Sequence, residues 1–208
     1  MHWVFKSDSV HGNVIFNFMH DPIDDLAVFA QGYHNAGRKL ADELASASGY
    51  SDYDGYPVLF LYRHAIELYL KAFVYRGAKL VHLLDISDVD TTKLFKDHSL
   101  SKLLPGVKVV LDALDWIDEF KTPHLGSFED FVDLVKGIDE VDKNSFAFRY
   151  PVKKDRQAVH EHHTLINVIA FAQHLDPVLK LLSGGLSGLS EEFDLAAEAK
   201  YVLEQTIK

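Results

Sequence analysis

Pro57-Val58-Leu59-Phe60-Leu61-Tyr62-Arg63-His64-Ala65-Ile66-Glu67-Leu68-Tyr69-Leu70-Lys71-Ala72-Phe73 is apolar almost all round a helical projection, yet it carries Arg63, Glu67 and Lys71 at successive spacings of four. A surface helix confines its apolar residues to one stripe, so a helix apolar on nearly every side belongs at the centre of an all-helical core. Charges on such a helix need partners or belong to an interface, because an unpaired buried ion is costly. The stretch therefore predicts an all-α fold and a candidate polar site. It predicts no reaction.

Working outward, this helix is expected to begin at Pro57 and to stop at Gly77, a residue suited to a left-handed cap. Upstream, Asp21-Pro22 reads as an N-cap followed by Pro at the first helical position, with Asp24 and Asp25 in the first turn where the helix dipole favours them. Apolar residues at Ile23, Leu26, Ala27, Phe29, Ala30, Tyr33, Leu40 and Leu44 predict an amphipathic helix to about Ser46–Gly49, with residues 51–56 as a loop. Residues 1–20 alternate apolar and polar around a turn-like centre and are read as a short extended segment or hairpin.

Downstream, residues 78–97 look irregular. Asp97 is expected to cap a third helix from His98 to about Phe120, kinked or split at Pro105-Gly106. Ser127 caps another from Phe128 to about Gly137. Asp142–Val152, rich in aromatics and carrying Pro151, reads as an ordered extended segment. A long helix is expected from Asp155 or Arg156 to Leu182, then a flexible break at Ser183–Gly188, then a last amphipathic helix. The expected organisation is an extended segment over 1–20, an up-and-down bundle of four to six helices over 21–182, and an accessory helix over 190–208.

The 208 residues suit one ordinary domain, and a composition 48% hydrophobic and 25% charged is that of a globular protein. There are no cysteines, which removes disulfides, thiol catalysis and thiolate metal sites, and fits a reducing cytoplasm. The first residues lack the pattern of a signal peptide, and no apolar run reaches membrane-spanning length, so neither a leader nor a membrane partner is expected. A formal net charge of −10 argues against a broad nucleic-acid surface but leaves room for a small basic cleft.

Three pieces in order, Tyr62-Arg63-His64-Ala65-Ile66-Glu67-Leu68-Tyr69-Leu70-Lys71-Ala72, then His98-Ser99-Leu100, then Ser145-Phe146-Ala147-Phe148-Arg149-Tyr150-Pro151, resemble the HEPN-like helical domains of bacteria over roughly residues 20–182. The resemblance implies a bundle of four or five helices that commonly forms a homodimer. Many members of that family are metal-independent RNases whose signature is an Arg, usually followed by a polar residue, with a His four to six residues further on. Others lack it and act as non-catalytic partners, nucleotide binders or parts of toxin–antitoxin pairs. Arg156-Gln157-Ala158-Val159-His160-Glu161-His162-His163 offers the signature, with Arg156 to orient a phosphate and His162 or His163 for acid–base work. The 12 histidines of the chain also generate such spacings by chance, and the plainer reading of the segment is an exposed polar first turn.

Arg63, Glu67 and Lys71 admit two readings: a solvent-facing charge ladder, or a partly buried cluster approached by Arg149 or His98. Such a cluster either locks the 142–152 segment to the bundle or forms a pocket for an anion or nucleotide, with Arg149 and Arg63 as guanidinium forks and Tyr150 beside them. His98, expected at a helix N-terminus, is a candidate base or a packing residue. His160, His163 and His174 lie at helical spacings, but no His-Glu-x-x-His pattern exists, and no metal or cofactor is expected. The leading expectation is a non-catalytic binding or dimerisation module with a nucleotide or RNA ligand open. A metal-independent RNase and a ligand-free structural domain are the alternatives.

Overall fold

A computed structural model describes Val14 and residues 23–152, 155–159 and 165–206. Among the described residues it contains five α-helices: α1 (Leu26–Ser46), α2 (Asp52–Leu83), α3 (Leu104–Ala113), α4 (Phe128–Val141) and α5 (Val168–Thr206). Short 3-10 turns at Ile117–Glu119 and Lys143–Ser145 follow α3 and α4. There is no sheet among the described residues, only the isolated bridges Thr122–Leu125 and Val152–Ala158. The all-α helical bundle expected from the sequence is what the chain forms. The 1–20 segment lies, apart from Val14, outside the described residues, as do Asp21 and Pro22.

The central position of α2 is borne out by its burial: Val58, Tyr62, Ala65, Ile66, Tyr69, Leu70, Phe73, Val74, Leu80 and Val81 are all at most 3% exposed. At about 25 cal/mol per Å2, each of the larger aliphatic and Phe side chains among them contributes on the order of 1.5–3 kcal/mol. α1 runs antiparallel to α2, with Asp24 beside Arg76 at one end and Gly37 against Tyr62 in the middle. α5 runs parallel to α2, with Val168 at Gly55, Asp176 at Tyr62, Gly185 at Phe73 and Ser190 at Arg76. α4 brings its C-terminal end, at Asp139, to Arg63 of α2.

α2 is longer than expected at both ends. Ser51 caps it in a capping box with Asp54, so the 51–56 stretch is the helix start rather than a loop, and Pro57 sits inside the helix. Gly77 does not end it. A Cβ there would lie 2.4 Å from Val110 Cγ1, so the glycine is a point of close helix crossing; Gly106 faces Val74 reciprocally.

The stretch expected as a third helix is split, as one alternative had it, into a turn around 98–103 and a main helix that begins at Leu104 with Pro105 in its first turn and ends at Ala113 rather than near Phe120. Asp97 therefore caps a turn, accepting from the Ser99 N–H at 3.1 Å and from Lys102. Ser127 caps α4 as expected, again in a capping box, with Asp130, but α4 continues past Gly137 to Val141. The 142–152 segment is ordered but turned rather than extended: Phe146 O accepts from the amides of both Arg149 and Tyr150 at 3.1 Å.

The largest correction concerns the last helix. It starts at Val168, not at 155 or 156, and runs without a break through Ser183–Gly188. Residues 190–206 are thus distal turns of α5 rather than a separate accessory helix. Isolated Gly costs a helix roughly 1 kcal/mol, but here packing compensates: a Cβ would lie 2.9 Å from Phe73 Cε2 at Gly185 and 3.1 Å from Trp116 Cη2 at Gly188. Among the described residues, no helix is long and apolar enough to cross a membrane.

Candidate functional site

Arg63 is the centre of the site and is fully buried. Its Nη1 donates to Glu67 Oε2 at 2.5 Å, one turn along α2, and its Nη2 donates to the carbonyl of His98. Asp139 Oδ1 lies 3.8 Å from Nη2 and Asp142 Oδ2 lies 3.3 Å from Nε. Arg63 Nε and Asp142 Oδ2 are not aligned for a hydrogen bond and make no other, so their attraction is purely ionic. One guanidinium thereby ties three separate pieces of chain together: α2, the turn before α3 and the end of α4.

Glu67 shares the burial, at 1% exposed. Its Oε1 accepts from Lys71 Nζ at 2.7 Å and from His98 Nδ1 at 2.8 Å. Burial pushes the Glu67 carboxyl up, but Lys71, His98 and Arg63 outweigh it and hold the group below the ordinary carboxylate range. An ionised Glu67 only accepts, so His98 carries its proton on Nδ1 and presents Nε2 from a side chain that is 58% exposed. The position of His98 is set by the Arg63 bond to its carbonyl, not by a helix N-terminus.

Asp139 is satisfied from the turn before α3: the Ser99 hydroxyl donates at 2.7 Å, the Leu100 amide at 3.0 Å and the Ser101 amide at 3.3 Å. Burial opposes ionisation there too, and these donors reverse it, leaving the carboxyl below its usual range. Asp142 Oδ1 accepts the Ala147 amide at 2.5 Å and so fixes the turn leading to Arg149. Neither Asp139 nor Asp142 was singled out from the sequence. A signal was present, because Phe131, Val135 and Ile138 follow helical spacing on the buried face of α4, and Asp142, the cap that follows, continues the same spacing.

Arg149 stands at the rim. Its Nε donates to Ser145 O at 2.5 Å, and its guanidinium lies 5.7 Å from the Phe60 ring centre and 5.6 Å from that of Tyr150. No carboxylate pairs with it among the described residues. Phe60 stacks on His64 at 5.5 Å with planes 9° apart, and His64 meets the edge of Tyr33 at 4.5 Å. Burial, then the nearby cations, lower the His64 pKa against the opposing pull of Glu67, so its neutral form is favoured. The rim formed by Phe60, His64, Arg149 and Tyr150 is thus an aromatic surface with one guanidinium laid across it, continuous through α2 with the buried charges. Tyr150 itself is 50% exposed.

The Arg156 segment differs from expectation. Arg156 is exposed and has a φ of 68°, in the left-handed region, within a turn closed by Val159 N–H donating to Pro151 O at 3.2 Å. It does not begin a helix. His160, His162 and His163 lie outside the described residues. Among the described residues no group of three or more His, Cys, Asp or Glu is arranged to hold a metal ion.

A second polar junction escaped the sequence reading. His34, on α1, and the Tyr62 hydroxyl, on α2, both bond Asp176 Oδ1 on α5 at 2.7 Å. Burial and then the Asp176 carboxylate raise the Tyr62 pKa, so the phenol stays protonated and donates. The residue before Pro177 thereby joins three helices.

Comparisons with protein-family models, curated proteins and solved structures found no match.

Proposed function

We propose that this chain is a HEPN-like, non-catalytic binding module whose buried Arg63 network is a fold lock and whose aromatic–guanidinium rim is the ligand surface. The observation that carries the reading is the contrast between Arg63, enclosed by Glu67, Asp139 and Asp142, and Arg149, held across Phe60 and beside Tyr150 with no acidic partner among the described residues. A guanidinium fork recognises phosphate oxygens, and exposed rings accept the face of a base. His98, oriented through Glu67, presents Nε2 from a largely exposed side chain as a further hydrogen-bonding group. The ligand class this supports is a mononucleotide or the end of an RNA strand. A net charge of −10 favours a compact ligand over a long polyanion.

A homodimer is part of the reading by family resemblance, as is a cytoplasmic stress, defence or toxin–antitoxin role. The distal turns of α5 are consistent with self-association, since Leu195, Tyr201, Val202 and Leu203 are each more than half exposed.

The test is equilibrium binding of AMP, ADP and a short single-stranded oligoribonucleotide to the full chain and to Arg149→Ala, His98→Ala and Arg156→Ala. Binding by wild type and Arg156→Ala, lost in Arg149→Ala and weakened in His98→Ala, supports the reading. Cleavage of the RNA in EDTA that disappears in Arg156→Ala would replace it with the nuclease.

A further inference from the structure

His124 and His174 come together from distant parts of the chain. Their ring centres are 4.7 Å apart with planes inclined at 42°, and both side chains are exposed. His174 lies on α5, and its Nδ1 is 2.6 Å from the carbonyl of Ala170. A carbonyl only accepts, so Nδ1 carries the proton and the lone pair of Nε2 points away from the helix. A backbone acceptor that fixes the tautomer in this way is the usual support of a metal-binding imidazole. His124 sits in a turn tied at both ends, where Thr122 N–H donates to Leu125 O at 2.9 Å and Leu125 N–H to Thr122 O at 3.2 Å. The Thr122 hydroxyl also accepts from the His124 amide at 3.3 Å. Both imidazoles are therefore carried on backbone that is already ordered.

The separation of the rings suits a shared ion. With metal–nitrogen bonds of about 2.0–2.1 Å, the centre of a ligated imidazole lies about 3.2 Å from the metal. Two such rings subtending about 90–109° at the metal are then about 4.5–5.2 Å apart. The observed 4.7 Å falls inside that interval. We propose that His124 and His174 form a two-imidazole site for a zinc- or copper-class divalent ion, joining the 122–126 turn to α5. Two protein ligands leave the remaining coordination positions to water or to a donor from another molecule. The ion would fasten the turn that precedes α4, the helix carrying Asp139 and Asp142. This site is separate from the rim of Arg149 and stands without it.

The experiment is titration of the untagged full chain with Zn2+ and with Cu2+ alone, against a competing chromophoric chelator, alongside thermal unfolding with and without metal. The variants are His124→Ala, His174→Ala and the triple His160→Ala/His162→Ala/His163→Ala. The expected result is binding by wild type and by the triple variant, with affinity at least about tenfold lower in each single variant. The metal-dependent rise in unfolding temperature should vanish in the same two variants. Circular dichroism on each variant separates lost binding from lost folding. Absence of binding by the folded wild type, or binding unchanged in both single variants, overturns the proposal.

Discussion

Arg63 and Arg149 flank the same helix and meet opposite environments. Arg63 reaches three carboxylates and a backbone carbonyl inside the protein and has no exposed surface. Among the described residues Arg149 is tied only through Nε, and the rest of its guanidinium lies over aromatic rings at the surface. The first has spent its donors on holding α2, α4 and the turn before α3 in register. The second retains them for something outside. Two residues of the same type that the sequence treats as one candidate pair are thereby divided into a structural group and a recognition group.

Removing each guanidinium should expose the difference. Arg63→Ala leaves Glu67, Asp139 and Asp142 buried with fewer cations, and a loss of about 3–5 kcal/mol in urea unfolding is expected. A loss below about 1 kcal/mol would mean that the network is not a lock. Asp139→Ala comes next. It strands the Ser99 hydroxyl and two amides, and about 1–3 kcal/mol should go.

Acid should act on the two regions in different windows. Glu67 and Asp139 have folded-state pKa values below their unfolded ones, so the stability they add is complete above about pH 4.3 and is lost as the pH falls through the depressed values. His64 is also depressed, but from a reference near pH 6.5, and its neutral form is the one the folded state prefers. Its contribution is complete above about pH 6.5 and begins to decline below it. Urea midpoints measured from pH 8 to pH 3 should show a shallow early fall that His64→Phe removes and a steeper acid fall that it leaves in place. The smallest effect on stability belongs to Arg149→Ala, within about 0.5 kcal/mol, although ligand binding should be abolished.

The sequence made one side of the site legible and left the other hidden, for a physical reason. Spacings along a helix are local, so the Arg63–Glu67–Lys71 ladder and the burial of α2 follow from the sequence directly. The carboxylates that complete the network are 76 and 79 residues beyond Arg63 by sequence position, Asp139 and Asp142, and only the packing of α4 brings them in. In sequence, Gly77 and Gly184–Gly188 look like breaks, since glycine suits caps and turns. Gly77, Gly185 and Gly188 instead serve as near contacts in continuous helices, where a Cβ would meet Val110, Phe73 or Trp116. The start of α5 was misplaced for a related reason: the polar run around Arg156 projects well as a helical first turn, yet the chain there closes on Pro151. His98 was recognised as a candidate, but its geometry depends on Glu67 and Arg63 rather than on a cap.

The most direct test of the division between lock and rim is an amide NMR titration of the 208-residue chain with AMP. The account predicts chemical-shift changes concentrated at His64, His98, Arg149 and Tyr150, with the same titration silent in Arg149→Ala. Silence in the wild type, or changes confined to the segment around Arg156, would contradict it.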